Sequence, residues 1–420
     1  MASTAETLAR WACGYVPADA DLELAHRSLL DTMAVTLAAR DDPVTGITGV
    51  LGDAGRWSAA GHVLDFDDLH MESTAHVSAV CVPATLAVGG DARSYLAGAG
   101  VMARLGTALG WSHYASGWHA TCTAGAPAAA AAASVALGLP AERTAAAIAL
   151  AVPAAGGVQR AFGSSAKSLQ VGFAADAGVR AARLAAAGAT ADPAVLDQWM
   201  HLVGGDPRRT DVSGPAVPGG LAIKLFPCCY ALQRPISALR ERLPAGVDAS
   251  GVTAIRVTTP ESTVQPLIHH EPRTGLQGKF SLEYAVASAL LDPHPGFASF
   301  TDAAVTRPEA QRLVHLVETV LTPGGDGLLS GQAEIDVESR GGRHRATLRL
   351  PPGAPGRQPS REEMDAKMSD CGPGVPVLLN GLDWTSAAAI LARELPAAPP
   401  SRADHPGERA GEPDRLRTTA

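Results

Sequence analysis

AGAPAAAAAASVAL, residues 124–137, decides how the rest of this 420-residue chain is read. Alanine joins the highest helix propensity to a side chain of one methyl, so the stretch forms a helix that others can approach closely. Gly138 and Pro140 halt it, and Pro140 suits the first turn of a second helix, AERTAAAIALAV at 141–152. Downstream, LQVGFAADAGVRAARLAAAG (169–188) repeats the small-residue pattern and ends at Gly188, a C-cap position. Upstream, Ser3 or Thr4 can cap a helix through Tyr15. Asp19 or Asp21 can open a longer one, with Leu22, Leu29, Leu30, Met33 and Leu37 at helical spacing.

The pattern changes near residue 220. GVTAIRVTTPE (251–261) and GQAEIDVESRGGRHRATLRLPP (331–352) alternate with period two, the second around a Gly341–Gly342 hairpin turn. PPGAPGRQPS (351–360) closes that unit, and helical patterning resumes in REEMDAKMSD (361–370) and TSAAAILAREL (385–395). The expected fold class is mainly α. A large all-helical domain is built from residues 1–220 and 355–395, with a smaller α+β domain, 221–354, inserted between them. Residues 396–420, rich in Pro, Arg and Glu, cannot bury a core and are expected to be disordered.

A hydrophobic fraction of 46% against 18% charged residues describes a chain able to bury large cores. With aromatics at only 4%, those cores must be built from small and aliphatic side chains, which favours helix on helix. A net charge of −8 with no basic stripe argues against a nucleic-acid surface and for a small-molecule partner. No apolar run reaches the roughly eighteen residues of a membrane span. The start MASTAETLARW has no basic segment leading into an apolar core, so the expected location is the cytoplasm. Six cysteines are scattered, the vicinal pair Cys228–Cys229 is unlike the CxxC of zinc sites, and free thiols are expected.

Positive charge is carried by 30 arginines and only four lysines, so the lysines mark positions where arginine does not serve. Lys167 in GSSAKSLQVGF and Lys224 in LAIKLFPCCY stand in apolar, low-charge surroundings, where a compact ammonium can grip a carboxylate. A snorkelling stem with its head in water is the alternative for both. Lys279 and Lys367 look blander; the acidic neighbours of Lys367 suit an exposed helix.

The richest polar cluster is HVLDFDDLHMESTAH (62–76), with Asp65, Asp67, Asp68, His70, Glu72 and His76. Three readings stay open. The residue types suit a divalent metal, although the spacing matches no HExxH or EF-hand pattern. They suit an acid/base site in which Asp orients a His. They also suit a polar loop whose acids cap the next helix. In SGWHATCTAGAP (116–127), His119 precedes a small-residue run that lets a ligand approach backbone; the alternative is a core histidine at a helix start. GGVQRAFGSSAKS (156–168) fails as a phosphate loop because Ala166, not Gly, precedes the lysine.

Six segments in order, LLDTMAVTLAA, HVLDFDDLHMESTAHVSA, SGWHATCTAGAPAAAAAASVALGL, KSLQVGFAADAGVRAARLAAAG, IKLFPCCYALQRPISAL and GKFSLEYAVASALLD, resemble the MmgE/PrpD family across most of residues 5–390. That family includes 2-methylcitrate dehydratase, cis-aconitate decarboxylase and iminodisuccinate epimerase. The resemblance implies a helical domain with a smaller α+β lid, a homodimer, and a pocket formed by Asp65, His76, His119, Lys167, Lys224 and Tyr284. His76 and His119 would be the acid/base pair, Asp65 would orient one of them, and Tyr284 would reach in from the lid. Lys167 and Lys224 would bind the carboxylate substrate and stabilise an enolate-like dianion, each removable without loss of the fold. Leu69 stands where the dehydratases and decarboxylases usually carry Thr, Gln233 where His is common, and the stretches 40–62 and 87–97 are shorter than usual. The expected function is a lyase without metal or organic cofactor, most simply a dehydratase of a hydroxylated di- or tricarboxylate. An epimerase, a cis-aconitate-type decarboxylase and a non-catalytic ligand-binding homologue are the alternatives.

Overall fold

The computed structural model describes residues 2–243 and 247–397; from residue 398 onward, the expected disordered tail lies outside them. The chain opens with α1 (Thr4–Gly14) and α2 (Asp19–Ala38). Ser3 caps α1 through a capping box with Glu6. Ala18 precedes α2, and Asp21 serves it from within the first turn by accepting the Ala18 N–H at 2.9 Å.

The helical layer continues with α3 (Asp53–Val63), α4 (Ser78–Leu86), α5 (Ala92–Ala115), α6 (Ala120–Ala136), α7 (Ala141–Ala151) and α8 (Ala166–Ala186). The alanine-rich α6 is its axis, packed on α4, α5, α7 and α8 and buried at every residue but the last. Its methyls admit close neighbours. A Cβ at Gly178 of α8 would lie 2.4 Å from Ala129 Cβ, and one at Gly98 of α5 would lie 2.6 Å from Ala132 Cβ, so glycine is required at both contacts. The packing of α6 on α8 brings His119, which precedes α6, near Lys167 at the start of α8.

Beyond α9 (Tyr230–Arg242) comes β1 (Val252–Pro260), then α10 (Leu282–Leu291) and the strands β2 (Val317–Thr322), β3 (Ala333–Ser339) and β4 (Gly342–Leu348). They form one sheet in the order β2-β1-β3-β4, with β1 parallel to β2 and the other pairs antiparallel. The parallel pair needs a crossover, which the segment 261–316 supplies. Helix α9 packs on β3 and β4, where Ile335, Val337, Ala346 and Leu348 are buried. The hairpin differs by one residue from expectation. Ser339 pairs with Gly342, so Arg340–Gly341 is the two-residue loop, and Gly342 opens the strand with φ 126°.

The chain returns to the helical layer through α11 (Arg361–Asp370), a short turn of helix at Val375–Leu378 that touches α2, and α12 (Trp384–Glu394), which touches α2 and α4. The architecture is mainly α with a smaller α+β unit.

Candidate active site

Helix α3 delivers His62 at its penultimate position and ends beside Leu64. Asp65 then adopts φ 57°, a left-handed conformation that costs a non-glycine residue roughly 1–2 kcal/mol. Lysines hold this turn. Lys167 Nζ donates to Asp65 Oδ1 at 3.1 Å, and Lys224 Nζ donates to Asp65 O at 2.9 Å and Oδ1 at 3.0 Å. Lys279 Nζ donates to Leu64 O at 2.6 Å, and Lys367 Nζ to Phe66 O at 2.9 Å. All four lysines of the chain therefore converge on residues 64–66.

The surface reading of Lys367 is wrong. It is 1% exposed, its ammonium stands 2.6 Å from Asp31 Oδ1 on α2, and it lies 4.4 Å from the centre of the Phe66 ring. Lys279, which looked bland in sequence, is also buried, and burial pulls its pKa down to about 8. For Lys224, burial works against the charge, but Asp65 and Asp67 outweigh it and raise the pKa. Burial likewise opposes the Asp65 carboxylate, yet Lys167 and Lys224 outweigh it and hold the pKa well below the usual range.

Asp67, not Asp65, organises the imidazoles. Its Oδ2 lies 2.7 Å from His62 Nδ1 and 2.9 Å from His76 Nδ1, while Lys224 Nζ is 3.7 Å from its Oδ1. The His76 contact is off the line of a good hydrogen bond, so it acts mainly as an electrostatic restraint. Against burial, these neighbours keep Asp67 ionised, and a carboxylate can only accept. His62 Nδ1, hydrogen-bonded to it, therefore carries the proton, and the same carboxylate favours a proton on His76 Nδ1 electrostatically. The Nε2 lone pair of His62 meets Lys167 Nζ at 2.6 Å, and His76 lines the adjoining cavity. Lys167, His62, Asp67 and His76 form one continuous polar chain through the buried site.

His119 precedes α6 with its Nδ1 2.7 Å from Gln170 Nε2. Its ring stacks on His62 at 5.8 Å between centroids and meets Phe162 edge-on at 5.0 Å. Burial lowers the pKa of all three imidazoles, with His76 brought to about 3. The sign for stability follows. Below the unfolded value of 6.5 the unfolded chain takes up protons that the folded rings refuse, so stability falls as pH drops toward 3. His76 alone is expected to cost roughly 2 kcal/mol between pH 6.5 and about pH 5. Urea midpoints across that range test this; a flat profile contradicts it.

Between these groups lies a cavity of about 20 Å³, room for one water. Asp65, Leu69, His76, His119, Lys167, Phe280 and Leu328 are among the residues that line it. Leu69 thus presents an apolar wall to the cavity, its backbone pinned by a two-way bridge to Ala222. Two expected members are not at the wall. Lys224 is fully buried behind Asp65, and the Tyr284 hydroxyl is committed to the Ser299 carbonyl. Gln233 is also structural: its Oε1 accepts the Leu225 and Phe226 N–H groups at 3.0 Å, bracing the loop after Lys224.

The capping reading holds for one acid of the cluster. Asp68 accepts from the backbone and hydroxyl of Ser78, the first residue of α4. His70 is fixed between Ser73 Oγ and Pro218 O, and Glu72 is exposed. The fold also gathers a donor set that chain spacing did not show, since ligand atoms of His62, Asp67 and His76 lie within 4.8 Å of one another. The ammonium groups of Lys167 and Lys224 beside that set oppose a further cation there. His62 and the role of Asp67 were missed in sequence, because His62 ends an apolar helix and Asp67 differs from Asp65 only by the turn between them.

Among the described residues no helix is long and apolar enough to cross a membrane. The MmgE/PrpD N-terminal domain model matches residues 48–203, and the MmgE/PrpD C-terminal domain model matches residues 226–377. The chain is 26% identical over 300 residues to a cis-aconitate decarboxylase of Aspergillus terreus (strain NIH 2624 / FGSC A1156), covering 62% of this chain and 61% of that protein. It is 27% identical over 323 residues to a cis-aconitate decarboxylase of Aspergillus terreus, covering 66% of each. The chain thus spans somewhat less than two thirds of the length of these curated relatives. Both domain models match in order over well over half of the chain, and the protein belongs to the MmgE/PrpD family.

Proposed function

We propose that this chain is a lyase that removes water from a hydroxylated di- or tricarboxylate through an enolate-type intermediate. The observation that carries the reading is a buried ammonium, Lys167, beside two imidazoles whose polar contacts give them opposite protonation patterns. His76, with Nδ1–H held toward Asp67, offers a lone pair on Nε2 and serves as the base that takes the hydrogen next to a carboxylate. The electron pair left on carbon moves into that carboxylate, where Lys167 stabilises the growing charge. His119, whose Nδ1 accepts from Gln170, carries its proton on Nε2 and delivers it to the departing hydroxyl. Lys224 acts from behind by holding Asp65, and Tyr284 has no part in the chemistry. A cavity of about 20 Å³ is smaller than a polycarboxylate, so its entry requires the lining side chains to move outward.

A second reading, loss of CO2, draws support from the similarity to cis-aconitate decarboxylases and from the apolar Leu69. NMR of products and CO2 detection over a panel of hydroxylated and unsaturated polycarboxylates separates the two. An alkene from a hydroxy acid without CO2 is the expected result. Release of CO2 moves the assignment to a decarboxylase, hydrogen exchange alone to an epimerase, and inertness across the panel overturns the lyase reading.

Leu69 sets what the substrate presents at that wall, which on this reading is an apolar substituent. Leu69→Thr is expected to raise kcat/KM roughly tenfold for substrates with a hydroxyl or carboxylate there, such as citrate, and to lower it for the natural substrate. A variant destabilised by about 1 kcal/mol or more with unchanged substrate ratios would reduce Leu69 to packing.

A further inference from the structure

We propose that Gln170 is a positioning residue that fixes the tautomer of His119, so that this imidazole presents a proton rather than a lone pair to the substrate. Gln170 lies on α8, one turn beyond Lys167. Its amide is clamped by the backbone of Val158: Oε1 accepts the Val158 N–H at 3.1 Å, and Nε2 donates to Val158 O at 3.3 Å. Exchanging the two ends of the amide would set N–H against N–H and oxygen against oxygen, which fixes its orientation. The remaining Nε2 hydrogen points at His119 Nδ1, 2.7 Å away. Cys122 Sγ stands 3.3 Å from the same nitrogen, and burial keeps it a thiol that offers S–H.

The clamp and its target are locked together. Trp118 bridges to Val158, His119 N–H donates to Gly157 O at 3.0 Å, and Gln159 N–H donates to Gly117 O at 2.8 Å. These two hydrogen bonds make up the bridge, so the loop carrying His119 and the loop anchoring Gln170 cannot drift apart without breaking both. With Nδ1 held as an acceptor, a neutral His119 carries its proton on Nε2. His76 Nδ1 faces a carboxylate instead, which favours the opposite tautomer. One amide and one carboxylate thus divide two identical side chains into an acid and a base.

The consequence for turnover rests on the lyase reading, whereas the tautomer does not. Imidazole nitrogen NMR on the full chain, with His119 assigned by the loss of its signals in His119→Asn, reads the tautomer without substrate. Wild type is expected to show Nε2–H, and Gln170→Glu, which can only accept at that position, Nδ1–H or imidazolium. Gln170→Met is expected to show a mixture. Given a turned-over polycarboxylate, Gln170→Glu should lower kcat roughly 100-fold with KM little changed. Nδ1–H in the wild type overturns the proposal even if neither variant folds, as does a wild-type spectrum in Gln170→Glu. A tautomer that switches as expected in a chain inert toward every polycarboxylate supports Gln170 and defeats the lyase reading.

Discussion

Asp67→Asn is expected to lower turnover roughly 10³- to 10⁴-fold while the chain stays folded. The effect follows from what an amide cannot do. The carboxylate faces the Nδ1 atoms of His62 and His76 at 2.7 Å and 2.9 Å through a single oxygen. Lys224 sits 3.7 Å from the other oxygen, so an asparagine places its own N–H groups either against that ammonium or against the imidazoles. The first clashes electrostatically, and the second drives His76 to the tautomer whose lone pair faces away from the cavity. An aspartate that fixes a histidine tautomer elsewhere is worth about 10⁴ in kcat. Turnover numbers together with a thermal melt decide the matter, and activity within tenfold of wild type removes His76 from the role of base.

Lys224→Ala is the largest expected effect on stability, about 3–5 kcal/mol. Removing this buried ammonium takes a donor from both Asp65 O and Asp65 Oδ1 in a turn that already carries a left-handed residue. It also takes away the ammonium 3.7 Å from Asp67 Oδ1, a buried oxygen that has no hydrogen-bond partner to fall back on. The sequence-based expectation that either lysine can be removed without harm to the fold therefore applies to Lys167 and not to Lys224. Lys167 lines the cavity, and Asp65 keeps Lys224 when it is lost, so Lys167→Ala should fold and show its defect in rate. A urea midpoint for Lys224→Ala close to wild type contradicts this division.

The helical layer was legible because its information is local. Fourteen residues of alanine-rich sequence, their stops and their caps can be read without knowing any partner, and α6 is where they put it. Lysine scarcity was a sound signal read too narrowly. Lys279 and Lys367 looked ordinary in their own windows because their partners, Leu64 and Phe66, lie 215 and 301 residues away. The exchange of roles between Asp65 and Asp67 has a similar cause. Two identical residues, two apart, are sent in different directions by one backbone angle at Asp65. Strand β2 escaped notice because as a half-exposed edge it buries no face that would impose alternation. Tyr284 was placed in the pocket by resemblance alone, and its hydroxyl is satisfied by Ser299 instead.

The most direct test is the fate of the hydrogen next to the substrate carboxylate when a hydroxylated polycarboxylate and its alkene are brought to equilibrium by the wild-type chain in D2O. NMR of the recovered hydroxy acid should show one deuteron at that carbon, on one face only, and its appearance should slow in Asp67→Asn in step with turnover. Equilibration without deuterium at that carbon would contradict the account, because His76 would then have taken no proton from it.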